Sequence, residues 1–265
     1  MDQRVRDGVL RRMVDKWLKA GVLEEGSLSY PQAGTPQGGV ISPLLANIYL
    51  HEVLDKWFAT VVKPRLYGRS LLIRYADDAV LVFSSEKDAR RVLDVLPKRF
   101  GKYGLRLHPV KTRLVHFVPP RAEERKVRSK SEPRSFDFLG FTHFWGRSYR
   151  GSWVVRRKTA RDRFKRVLKR FAQWCRMNRH KPVAWQHRQL VGKLRAHDGY
   201  YGLYGNWWSP WRLRYELTRI WMKWLNRRSR RRSLNWARFT LLLRRYPLPA
   251  PTWHRPARPA ANPCF

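Results

Sequence analysis

Residues 71–83 read LLIRYADDAVLVF. Two apolar runs flank Asp77 and Asp78, a pattern that predicts two short strands around a tight turn carrying both carboxylates. Neighbouring side chains on extended backbone point to opposite faces. One aspartate can thus meet a ligand directly while the other plays a lesser part. A hard divalent cation such as Mg²⁺ takes several oxygen ligands, so a further carboxylate would have to come from elsewhere. Aspartates also make turns well with no ligand at all, and both readings stand at this point.

Outward from this stretch the chain is mixed. On the N-terminal side, Val5, Val9, Met13 and Trp17 fall four apart, predicting an amphipathic helix over residues 4–19 that ends at Gly21. A loop with Gly34, Pro36, Gly38 and Gly39 follows. A second helix is expected with Ser42 as its cap, Pro43 in its first turn, and an apolar face of Ile41, Leu44, Leu45, Ile48 and Tyr49. On the C-terminal side a helix is expected from Glu86 to Tyr103, bent or split at Pro97. Residues 105–117 read as a strand broken at Pro109, 119–135 as a surface loop, and FDFLGF at 136–141 as strand again.

Beyond about residue 155 the pattern turns helical and basic. Phe164, Val167, Leu168, Phe171, Trp174 and Cys175 form one stripe, and Leu213, Leu217, Ile220, Trp221, Trp224 and Leu225 another. Leu190, Leu194, Tyr200, Tyr201 and Tyr204 suggest a third helix between them, and Trp236, Phe239, Leu242 and Leu243 a short fourth. Six prolines after Tyr246 mark a tail that is either extended or disordered. The expected class is α+β, divided as residues 1–154, a helical part 155–246 and the tail 247–265.

Charge narrows the function. The 265 residues hold 57 Lys or Arg against 19 Asp or Glu, a net +38, which selects for a polyanionic partner over a small-metabolite enzyme. Lys165, Arg166, Lys169 and Arg170 surround the first stripe, and Arg227, Arg228, Arg230 and Arg231 form a run with no acidic neighbour. Such faces, interleaved with Trp and Tyr, suit RNA through phosphate contact and base stacking. The stripes themselves are helix–helix core. With 43% hydrophobic residues the chain has ample material for a core. Cys175 and Cys264 form no CxxC, and the eight histidines show no metal-ligand spacing, which removes zinc folds and a disulfide framework. No signal peptide and no membrane-spanning run is visible, so a soluble, cytoplasmic setting without a membrane partner is expected. The Gly34–Gly39 loop lacks the ATP-binding P-loop pattern; it is either a flexible loop or a place of close backbone approach to a ligand. Lys111 is either solvated surface or a partner for a triphosphate.

In this order the motifs are specific. GTPQGGVISPLLANIYLHEVLD at 34–55, YADD at 75–78, GLRLHPVKT at 104–112 and FDFLGF at 136–141 resemble a reverse-transcriptase palm. More narrowly, they resemble the group II intron-encoded reverse transcriptase/maturase family, and LVGKLRAHDGYYGLYGN at 190–206 is similar to that family's thumb, or maturase, domain. The resemblance implies a partial palm over 1–154, an α-helical thumb/maturase domain over 155–246, and RNA-directed DNA polymerisation by two-metal nucleotidyl transfer with Mg²⁺. It makes Asp77 and Asp78 metal-binding, with Lys111 near the nucleotide phosphates. Gln37, Gly38 and Gly39 fall near the incoming nucleotide and template, Tyr75 and Ala76 beside the primer end, and Phe138, Leu139 and Gly140 in the segment that holds the primer. The implied partners are a template or intron RNA, a DNA primer or target, and deoxynucleoside triphosphates.

The family's palm takes another metal-binding aspartate from an upstream strand. Asp2, Asp7 and Asp15 sit instead in a predicted helix. The expectation is a C-terminal portion of a longer enzyme, with a homodimer or a complementing N-terminal fragment as its means of activity. Absence of CxxC pairs argues against an added endonuclease domain. A non-catalytic RNA-binding maturase, assisting intron folding and splicing without a metal, is the rival expectation.

Overall fold

The 71–83 stretch folds as an antiparallel hairpin in a computed structural model that describes residues 7–18, 22–24, 27–29, 41–120, 135–228 and 234–253. The chain divides into two compact units, Met1–Leu114 and Val115–Phe265.

The first unit begins with helix α1 (Gly8–Leu18) and a small hairpin, β1 (Val22–Glu24) and β2 (Ser27–Ser29), that the apolar spacing does not announce. Helix α2 (Ser42–Leu50) is preceded by Ile41 at the cap position with helical backbone angles, so Ser42 is the first helical residue and not the cap. Pro43 does lie in the first turn, where its missing N–H costs nothing. Past Leu50 the helix widens into π-helical turns, His51–Lys56 and Phe58–Val62, and closes with a tight turn at Lys63–Arg65. The wide turns are braced from outside: Arg99 donates to the carbonyls of Val53 (3.1 Å) and Glu52 (3.4 Å) and lies over the rings of Tyr103 and Trp57.

Strands β3 (Ser70–Tyr75) and β4 (Asp78–Phe83) follow, then helix α3 (Glu86–Gly101), capped by the Ser85 hydroxyl. Pro97 does not split α3, which runs unbroken past it, with Leu96 and Phe100 both buried. The core joins Leu54, Phe58 and Val62 to Val92, Leu96 and Phe100, with Leu72, Leu81 and Phe83 of the hairpin packed on them. Buried Asp88 accepts the backbone N–H groups of Tyr67 (3.0 Å) and Gly68 (2.9 Å), fixing the entry to β3. Residues 105–117 do not form the expected strand. Leu105 and Leu107 alternate because they lean on this core, and no described strand offers them a ladder.

The second unit opens with a three-stranded antiparallel meander, β5 (Ser135–Phe138), β6 (Phe141–Arg147) and β7 (Trp153–Thr159). FDFLGF is therefore a strand end, a two-residue turn at Leu139–Gly140, and the start of the next strand. The change in composition near residue 155 falls inside β7. Helices α4 (Arg161–Met177), α5 (Val183–Tyr201), α6 (Trp208–Asn226) and α7 (Trp236–Arg245) complete the unit. The stripes read from sequence meet as one core: Phe171 and Cys175 on α4, Leu190 and Leu194 on α5, Leu213, Leu217, Trp221 and Leu225 on α6, and Phe239 on α7. Cys175 is inert in this setting, its thiol pushed up to about 12 by burial.

Two polar knots hold the second unit. Buried Asn206 accepts the Thr159 N–H (2.9 Å) and donates to the Thr159 hydroxyl (2.9 Å) and the Tyr201 carbonyl (2.8 Å), fastening β7 to the α5–α6 corner. Buried Arg214 pairs with Asp198 and donates to the Pro249 carbonyl, while the Thr252 N–H donates to Asp198. Burial pushes the Asp198 carboxyl up, but hydrogen bonds from His197 and Arg214 and the charge of Arg214 outweigh it and leave it below the ordinary range. The described part of the Pro-rich tail, 247–253, has no regular secondary structure and is tied to the helices.

Candidate active site

The expected carboxylates lie where the apolar runs turn back on each other. Tyr75 pairs with Asp78, leaving Ala76 and Asp77 as a two-residue tip; Asp78 is the first residue of β4 and not part of the tip proper. Tyr75, Ala76, Asp77 and Asp78 are all exposed. Ala76 has φ +51°, a left-handed conformation that costs a residue with a Cβ about 1–2 kcal/mol. Such strain persists only where the surroundings over-determine it.

Arg74 supplies that determination. Alternation along β3 turns it to the same side as Leu72, toward the core, with only 13% of its side chain exposed. Its guanidinium meets Asp55 with two hydrogen bonds, Nε to Oδ1 at 2.8 Å and Nη2 to Oδ2 at 2.7 Å. The remaining nitrogen, Nη1, donates to Asn47 Oδ1 (2.9 Å) and to the Ala76 carbonyl (2.8 Å). Hydrogen bonding from Arg74 holds the Asp55 carboxyl below its usual range against desolvation, with Arg74's charge and His51 adding to the effect. The same pair raises Arg74. Sequence reasoning overlooked Arg74 and Asp55. The available signal was a charged residue on the core-facing parity of an apolar strand, which demands a carboxylate partner.

The other expected residues are distributed as follows. Lys111 is exposed in a turn at 109–111, closed by the Thr112 N–H donating to the His108 carbonyl at 2.9 Å. Gln37, Gly38 and Gly39 lie outside the described residues, as do Arg230 and Arg231. Phe138, Leu139 and Gly140 are half-buried at the β5–β6 tip in the second unit. Both tip residues there are left-handed, Leu139 with φ +49° and Gly140 with φ +75°, the signature of a type I′ hairpin. The Tyr200 hydroxyl donates to the Leu139 carbonyl (2.8 Å), and the Ala160 N–H donates to the Gly140 carbonyl (2.9 Å). On α4, Lys165, Arg166, Lys169 and Arg170 are exposed together; after α6, Arg227 lies over Trp224 and Arg228 donates to the His180 carbonyl at 3.3 Å.

Asp77 and Asp78 offer the hard oxygen donors that Mg²⁺ takes, which suits the ion in kind. In number they fall short: among the described residues no three of His, Cys, Asp and Glu are grouped to hold a metal. No described helix is long and apolar enough to cross a membrane.

Comparison with known proteins bears on this arrangement. Residues 4–143 match the family model described as reverse transcriptase (RNA-dependent DNA polymerase). The chain is similar to the "Group II intron-encoded protein LtrA" of Lactococcus lactis subsp. cremoris, 52% identical over 54 residues that cover 20% of this chain and 9% of that protein. It is similar to "Protein YkfC" of Escherichia coli (strain K12), 31% identical over 147 residues, covering 43% of this chain and 37% of that one. An "Uncharacterized 91 kDa protein in cob intron" of Schizosaccharomyces pombe is 42% identical over 53 residues, 20% of this chain and 7% of its own length. The chain spans well under two thirds of each of these relatives.

Proposed function

The chain belongs to the reverse transcriptase (RNA-dependent DNA polymerase) family, and from that premise we propose that it is part of a group II intron reverse transcriptase/maturase that copies RNA into DNA at the Asp77–Asp78 hairpin. The observation that carries this reading is the exposed pair of carboxylates on a strained tip braced from the core. Similarity to the intron-encoded protein of Lactococcus lactis supports the intron branch of the family.

In this reading Asp77 holds a divalent cation with Asp78 beside it, and further oxygens come from outside the described residues or from substrate. When bound, Mg²⁺ supplies Lewis-acid chemistry for nucleotidyl transfer, activating the primer hydroxyl and neutralising triphosphate charge. Lys111 meets the deoxynucleoside triphosphate. Gln37, Gly38 and Gly39 approach the incoming nucleotide and template, where side-chain bulk would keep the backbone away. Tyr75 and Ala76 flank the primer end, and the Phe138–Gly140 turn holds the primer strand. The basic surfaces of α4 and of the segment after α6 bind RNA through its backbone, which suits a polymerase because phosphate contacts carry no sequence. In domain terms, residues 1–154 are a partial palm and residues 155–246 the thumb/maturase domain.

Primer extension on an RNA template with a DNA primer and Mg²⁺ tests the proposal. Asp77→Ala should abolish DNA synthesis and leave RNA binding within about twofold, since one exposed carboxylate adds little to a surface of net +38. Loss of RNA binding in that variant would mark Asp77 as structural. The second reading, a non-catalytic RNA-binding maturase, is favoured by the absence of a three-ligand metal cluster among the described residues. Its signature is intron splicing stimulated equally by wild type and Asp77→Ala.

A further inference from the structure

We propose that Arg74 is a positioning residue: anchored on Asp55 and Asn47, it locks Ala76 of the tip in its left-handed conformation and so aims the Asp77 carboxylate. The positioning role rests on the polymerase reading above. The lock itself is a property of the fold and is read separately.

Three observations carry the inference. The tip contains a non-glycine residue at φ +51°, which two-residue turns ordinarily assign to glycine or asparagine. The Ala76 carbonyl accepts a charged hydrogen bond from Nη1 at 2.8 Å, and that bond exists only while the tip keeps its shape. The donor cannot drift, because the same guanidinium is held by two hydrogen bonds to Asp55 and one to Asn47. Those anchors come from the helix beginning at Ser42, so the tip is tied to an element outside its own hairpin. Asp77 and Asp78 themselves are exposed, and no core packing orients them. The peptide between Ala76 and Asp77 is therefore where the fold's rigidity reaches the carboxylate.

A planar fork is needed for this. A lysine at 74 could keep one contact to Asp55, but a single ammonium cannot bridge Asp55, Asn47 and the Ala76 carbonyl together. Glycine at 76 removes the steric cost of the left-handed conformation and with it much of the need for the lock.

The test uses the full chain as wild type, Arg74→Lys, Asn47→Ala and the double variant Arg74→Lys with Ala76→Gly. Hydrogen exchange is followed at the Tyr75 and Asp78 amides, which pair across the tip, beside steady-state primer extension. Arg74→Lys should speed exchange at the tip about tenfold, the size expected from losing one charged hydrogen bond, while amides around Leu96 in α3 keep their wild-type rates. It should lower kcat by about tenfold or more and leave the nucleotide KM within about twofold, and Ala76→Gly should restore most of the lost protection at the tip. Asn47→Ala keeps the ion pair and should loosen the tip less, in the same direction; it decides the matter if Arg74→Lys does not fold. Tip exchange unchanged in both single variants, or no restoration by Ala76→Gly, overturns the lock. A loosened tip with kcat intact overturns the positioning role. A wild type with a protected tip and no DNA synthesis overturns the polymerase reading alone, and leaves the lock standing.

Discussion

Two hairpin tips, one in each unit, meet the same backbone problem with different chemistry. At β3–β4 the left-handed residue is Ala76, and its carbonyl is taken by a guanidinium that a carboxylate holds from behind. At β5–β6 the left-handed residues are Leu139 and Gly140, and their carbonyls are taken by the neutral Tyr200 hydroxyl and the Ala160 N–H. Rings finish the second brace: Phe141 stacks with Tyr200 and lies 5.3 Å from Tyr201. The first tip stays exposed, with its carboxylates in water, and the second is half-buried against a helix. A tip that must carry charge outward cannot be covered, so its shape has to be imposed through the backbone from below. A tip of uncharged residues, such as Leu139 and Gly140, can be packed.

The comparison can be broken most forcefully at Gly140. A Cβ there would meet the Tyr201 hydroxyl at 3.0 Å and would sit at φ +75°. Gly140→Ala should therefore cost the second unit about 2 kcal/mol, combining left-handed strain with crowding. Labelling of Cys175 in a Cys264→Ser background reads this out, because that buried thiol reacts only when the helices open. A labelling rate equal to that of the parent would mean the turn carries no such constraint. Tyr200→Phe should cost less, about 0.5–1 kcal/mol, since it removes one hydrogen bond at a residue still half exposed. Thermal melting of the two proteins side by side is the check, and a gain in stability would count against the brace.

Acid should separate the tips by a smaller effect. Asp55 has its folded pKa below the unfolded value, so its contribution to stability is complete above about pH 4 and is lost as the pH falls through the folded value. The second tip is braced by the Tyr200 hydroxyl and the Ala160 N–H and by no ion pair to its carbonyls. Exchange at Tyr75 and Asp78, corrected for the intrinsic rate, should rise below about pH 4 before exchange at Phe138 and Phe141 does. Simultaneous loosening would show that the ion pair does not control the first tip.

Much of this design is legible in the chain. YADD between apolar runs marks the first tip because strand alternation and turn chemistry agree there. The helical stripes from Phe164 onward predict their own core because their apolar period is intact. Arg74 escaped notice because pattern reading treats a charge in a strand as a solvent position, whereas its partner lies nineteen residues upstream on a helix. Strand β7 escaped because three consecutive basic residues, Arg156 and Lys158 exposed and Arg157 half-buried, break the apolar alternation of WVVRRKT. Residues 105–117 misled in the opposite sense, since Leu105 and Leu107 alternate for the sake of a helix–hairpin core. The turn at Leu139–Gly140 looked like strand because leucine rarely accepts a positive φ.

The central claim, that the Ala76–Asp77 tip is where this protein holds its catalytic cation, can be tested without relying on turnover. Iron(II) substituted for Mg²⁺ and treated with ascorbate and peroxide generates radicals that cut the backbone nearest the bound ion, and mass spectrometry maps the cuts. The account predicts cleavage centred on Tyr75–Ala79, suppressed by excess Mg²⁺ and absent in Asp77→Ala. Cleavage centred elsewhere, or unchanged in Asp77→Ala, would contradict it.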